Sequence, residues 1–150
     1  MIKLLMLIEK PAYYTYCQNE KCESAQNCLR YISYTELTDE SEEQSISVIN
    51  PHHYPKEAEK CSFYVSSKKV KMAWGIKDLY KELPYDKAKS IKQLLLKKFG
   101  RTKYYRFYRE ELPVTPANQA MIKKIFSEHG IESEPAYTHY SQEFEWYKDR

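Results

Sequence analysis

The sequence predicts a single α+β domain, and three observations lead there. Between residues 45 and 75, apolar and polar residues alternate with the period of strands. From 86 to 129, apolar residues recur at helical spacing between capping signals. Ahead of both lies a cysteine-containing segment with neither period. The expected organisation is one domain over 1–150. Within it, a cysteine-containing α+β part covers about 11–76 and a helical, basic part about 77–147. A chain of 150 residues with 42% apolar content suits one core of ordinary size.

At the N-terminus, the apolar stretch Leu4–Ile8 is followed at once by Glu9 and Lys10, with no small-residue cleavage site. It is too short for a signal peptide or a membrane span and reads as a buried first strand or a lead-in. No other stretch is long and apolar enough to cross a bilayer, so no membrane association is expected. Asp39–Gln44 is acidic and polar, an exposed loop. Ser45–Ile49 alternates Ile46 and Val48 with serines and reads as a strand ended by Asn50-Pro51. Ser62–Ser66 and Lys69–Trp74 read as two further strands joined at Ser67-Lys68. Val70, Met72 and Trp74 would share one face. Together these predict a small antiparallel sheet over about 45–75.

The second half reads as helical. Asp78–Leu83 is a short helix stopped by Pro84. Asp86–Phe99 places Ala88, Ile91, Leu95 and Phe99 near helical spacing, with Gly100 beyond its last turn. Lys103–Glu111 forms another helix, with Tyr104 and Tyr108 one turn apart. Thr115 caps a further helix, Pro116 takes its first position, and Gly130 ends it after His129. The aromatic tail, 137–147, packs as a short helix or an extended arm.

Charge is unevenly spread. Residues 68–109 hold fourteen Lys/Arg against three Asp/Glu, a net +11, between flanks of −4 each, 1–67 and 110–150. Such a block points to an anionic partner, foremost nucleic acid. Its sharpest part runs from Lys97 to Arg109, with six basic residues, five aromatics and no acid. Lys97, Lys98, Arg101, Lys103, Arg106 and Arg109 suit phosphates, and Tyr104 and Tyr105 could assist by stacking or donation. Helix, Gly100 turn and second helix together look like a helix-turn-helix unit. However, Arg101 stands where that motif carries an aliphatic residue. The plainer reading is a solvated basic helix whose tyrosines pack on the core.

Cys17, Cys22, Cys28 and Cys61 are spaced C-x4-C-x5-C-x32-C. Without an export signal they read as reduced thiols in a cytoplasmic protein. They could ligate a structural zinc, with His52 or His53 able to replace one thiolate. An iron–sulfur cluster would use the same ligands, and plain buried thiols are the bland alternative. Cys28 with His53 as a nucleophile pair has no local support. His129 reads as a helix cap, His139 has no evident partner, and Glu143 and Glu145 read as surface charges. With only three glycines there is no phosphate loop, and zinc-protease and nucleophile-elbow motifs are absent.

These residues together carry a resemblance. The spaced cysteines ending in Cys28-Leu29-Arg30, then Asn50-Pro51, Cys61-Ser62-Phe63, Phe99-Gly100-Arg101, Tyr104-Tyr105, Tyr108-Arg109, Pro116 with Gln119, and Trp146 all contribute. Over roughly 13–147 the chain resembles an uncharacterised family of small proteins of gut anaerobic bacteria, a domain of unknown function. The resemblance implies a bacterial intracellular protein and no assigned activity. The expected function is therefore non-catalytic DNA binding through 97–109. The alternatives are a module that meets an acidic protein or a second copy of itself, and a zinc-stapled domain, with an enzyme using a cysteine-held metal last.

Overall fold

The computed structural model describes residues 10–56 and 60–147. The N-terminal strand or lead-in expected over 1–8 lies outside them. The α+β class is observed, with four α-helices and a two-stranded antiparallel sheet among the described residues. The chain forms two compact units. The first comprises 10–68 and 144–147, and the second is the continuous stretch 69–143.

In the second unit, β1 (Lys69–Trp74) lies where the alternation predicts it. Its sheet partner is β2 (His139–Phe144), drawn from the aromatic tail rather than from 45–66. Ala73 exchanges both backbone hydrogen bonds with Val114 (3.1 and 2.7 Å), and Gln119 Nε2 donates to the carbonyls of Lys71 and Val114. That edge of β1 is thereby occupied, which removes a site for stray strand pairing.

With α1 being Leu29–Thr35 of the first unit, the second unit holds α2 (Tyr85–Phe99), α3 (Arg101–Tyr108) and α4 (Pro116–Glu128). Ile91 and Leu95 sit one turn apart on α2, as do Ile122 and Phe126 on α4, and all four are buried. With Ala73, Ile76, Leu79, Tyr104, Phe107 and Val114 they form one core. Thr115 accepts from the Asn118 amide at 3.4 Å, and Pro116 opens α4, as the cap signals predict. At the other end, His129 Nδ1 lies 2.8 Å from the Ile125 carbonyl, and Gly130 takes φ +73°. The helix expected over 78–83 is a 3-10 turn, Lys77–Tyr80.

The first unit has little regular structure. Among its described residues the α-helix is α1 (Leu29–Thr35), which carries no sequence signal because burial by Leu29 and Ser33 alone leaves no apolar period to read. Tyr14, Leu29, Val65, Phe144 and Trp146 make its core. The Tyr14 ring meets Trp146 edge-on, with centroids 5.2 Å apart, and its hydroxyl donates to the Trp146 carbonyl at 3.0 Å. Arg30 lies over the other side of Tyr14 and donates to the carbonyls of Thr15 and Phe63.

The strands expected at 45–49 and 62–66 are not formed. Each is reduced to one isolated bridge, Tyr16 with Val48 and Cys28 with Ser66. Tight turns on either side stop the ladders from propagating. Ile46 and Val48 accordingly stay more than a third exposed, while Ile49 is buried.

Gly75 and Gly100 both take φ +77°, but in different surroundings. A Cβ at Gly75 would lie 2.2 Å from Thr138 Oγ1, whereas one at Gly100 meets nothing within 4 Å. Gly100→Ala should therefore cost about 1 kcal/mol of backbone strain, and Gly75→Ala clearly more, read from urea midpoints.

Candidate functional site

Two groups of expected site residues fall in different units. In the second, the basic segment forms the corner between α2 and α3. Only Gly100 separates the two helices, where a helix-turn-helix has a turn of three or four residues. α3 also has just eight residues and commits Tyr104 and Phe107 to the core. A long reading helix is therefore not what this corner presents.

Lys97, Lys98, Arg101, Arg106 and Arg109 are exposed, and Lys103 is partly so. An open groove of about 450 Å³ lies beside the corner, lined by Phe99, Gly100, Arg101, Thr102, Lys103, Arg106 and Leu112. Three of those residues are cations and none is an acid. The groove adjoins the first turn of α3, whose amides have no intrahelical acceptor in helix geometry and whose N-cap, Gly100, offers no side chain. Lys103 Nζ stands 5.7 Å from the Phe99 and Phe107 ring centroids, and the Arg101 guanidinium 5.7 Å from that of Tyr105. The rings beside these cations favour the charged tips near the groove.

Two of the expected residues behave differently. Tyr104 is 1% exposed, and its hydroxyl shares a 2.9 Å hydrogen bond with that of Tyr80, so its ring belongs to the core and not to the exposed face. Arg109 holds Glu111 with two donors, at 2.7 and 3.1 Å. That pairing raises the guanidinium pKa and lowers the carboxyl's, and it offsets the Arg109 charge. Tyr105 is half-buried, and Tyr108, exposed, lies under Lys77. Helical spacing alone does not say which face of 104–109 meets the core, so the inward turn of Tyr104 corrects its expected place on the binding face. The acid that neutralises Arg109 lay just beyond the segment considered.

In the first unit all four cysteines are free, and all four line one cavity of about 20 Å³. Ala25, Ile49, Tyr54, Pro55 and Phe63 complete much of its apolar wall, and His53 also faces it. His52, the other histidine considered, is exposed, and its backbone amide donates to Asn50 Oδ1. Cys17 Sγ accepts from the Asn19 amide at 3.5 Å. Burial pushes the Cys17 thiol pKa above its usual value, with smaller contributions from the other three cysteines. Among the described residues, no group of three or more His, Cys, Asp or Glu side chains stands ready to hold a metal ion.

A Ser–His–Glu set on β2 invites comparison with a hydrolase relay, and its bonds oppose one. His139 stacks on Trp74 and lies 3.1 Å from Glu110, supplying the partner the sequence did not reveal. Ser141 donates to Glu143 and accepts from the Trp74 indole, so its hydroxyl is not aimed at the imidazole. Among the described residues, no helix is long and apolar enough to cross a membrane.

Residues 1–146 match the model of a family described as a family of unknown function (DUF6078). No curated protein and no solved structure matches the chain.

The Tyr80–Tyr104 pair generates a pH prediction. Burial is the main cause that raises both phenol pKa values, Tyr80 far above its usual range. A raised folded-state pKa gives stability that is present below the unfolded value, near 10, and lost as pH climbs past it. Unfolding midpoints of the parent should fall above about pH 10. Tyr80→Phe should show a shallower fall, followed by denaturant titration at stepped pH.

Proposed function

The chain belongs to that family of unknown function, a membership that brings no activity with it, and we propose that it binds the phosphate backbone of nucleic acid, DNA foremost, without catalysis. The observation that carries this reading is the groove at the α2–α3 corner, with Arg101, Lys103 and Arg106 in its walls and no carboxylate among the residues lining it. Lys97 and Lys98, exposed on the last turn of α2, extend the positive surface. A phosphate in the groove would meet guanidinium donors and the start of a helix, both of which favour an anion.

The short α3 and the one-residue turn favour backbone contact over base reading, so weak sequence preference is expected. The setting we infer is a bacterial cytoplasm, which keeps thiols reduced. A second reading, assembly with an acidic protein or with another copy, draws on the −4 flanks either side of the +11 block.

Duplex DNA binding measured by anisotropy at several salt concentrations tests the proposal. Contacts from Lys97, Lys98, Arg101 and Arg106 should give a log–log slope of about −4, and the double variant Arg101→Ala/Arg106→Ala should flatten it by about 2. Glu111→Gln, which releases Arg109, should steepen it by about 1. No binding at low salt, or an unchanged slope in the double variant, would sink the reading. Oligomers that dissolve as salt rises, without DNA binding, would favour the second.

A further inference from the structure

We infer that Cys17, Cys22, Cys28 and Cys61 are the ligands of a structural zinc ion that staples the first unit. The carrying observation is convergence. These are all the cysteines of the chain, they come from separate turns spread over 17–61, and every one lines the same small cavity. The cavity is small, about 20 Å³, with room for about one water-sized sphere.

Ligand chemistry agrees. Four thiols facing one cavity supply the donor set of closed, four-coordinate zinc, and the Cys17 Sγ already accepts from the Asn19 amide, which would stabilise a thiolate. The sulfurs stand around the wall and not in a coordinating array. Binding therefore gathers them, and each ligand gives up its proton as it closes on the metal. Four thiolates leave no open position, so the ion serves structure and not catalysis.

The unit's architecture gives the staple a purpose. Among its described residues, one α-helix of seven residues is present, the pairings within 10–68 are isolated bridges, and five buried side chains make its core cluster. Units this poor in core gain most from a metal that ties distant turns together. Zinc here would join the loop before α1, Cys28 at the N-cap of α1, and the Cys61 turn, which is 33 residues further along the sequence. This inference uses residues that the nucleic-acid reading does not, so either can fail alone.

The test uses the whole chain, purified under reducing conditions. Elemental analysis should find one zinc per chain. Replacement with cobalt(II) should give the intense visible bands and thiolate charge-transfer absorption of a tetrahedral sulfur site. Zinc should protect all four thiols from alkylation, and a strong chelator should both expose them and lower the thermal midpoint. Cys61→Ser should weaken zinc binding by more than the ~10-fold that follows loss of a supporting residue. Should that variant fold poorly, alkylation of the parent chain with and without zinc decides the matter alone. His53→Ala should leave the cobalt spectrum unchanged. A chain that takes up no cobalt at sulfur, thiols alkylated equally fast with and without zinc, or a spectrum altered by His53→Ala would each overturn the four-cysteine site.

Discussion

The antiparallel pairing of β1 with β2 is the constraint on which the rest depends. It brings together the ends of the stretch 69–143, so three helices fold within a closed loop of chain. Local helix signals alone could not achieve this, since helices of eight to fifteen residues are marginal in water without a shared core. The sheet is small, and its value lies in where it places Ala73. That residue enters the core among Ile91, Leu95, Ile122 and Phe126, and its backbone also holds Val114. The loop leading to α4 is fixed by this exchange, and with it the capping Thr115.

The α2–α3 corner shows how packing selects a binding face from a basic run. Along 97–109 the core takes Tyr104 and Phe107, with Phe99 and Tyr105 packed against it, and the cations are left outside. Phe99 and Phe107 meet edge-on at 5.2 Å beneath the groove, giving its charged rim a rigid floor. Rigid support matters for recognising an anion, because a long side chain that must be ordered on binding loses much of the interaction energy as entropy. Glu111 limits the face on its far side by holding Arg109.

Elements with a strong local period were legible in the sequence. β1 shows alternation, α4 carries Thr115, Pro116 and Gly130 as boundary signals, and Ile91 with Leu95 marks the buried side of α2. The partner of β1 was not legible, since His139–Phe144 reads His-Tyr-Ser-Gln-Glu-Phe, with little apolar alternation. Pairing across the 64 intervening residues, 75–138, is a tertiary fact. Ser45–Ile49 fails in the opposite sense, having the alternation but no ladder to join. For the candidate sites, charge and thiol content were visible at once. What sequence could not provide was direction: that Tyr104 turns inward, that Arg109 faces an acid, and that four widely spaced cysteines share one cavity.

The discontinuity of the first unit has a consequence for synthesis. Tyr14, Leu29 and Val65 emerge early, yet Phe144 and Trp146, which complete their core, follow only after the whole of 69–143. At the usual pace of translation that delay is on the order of ten seconds. The second unit, whose sheet closes only with β2, is completed at the end of the same interval. Throughout the wait, the N-terminal chain carries four thiols without its finished core. A soft metal ion captured early would organise the nascent segment around them, whereas an oxidant arriving first would divert it.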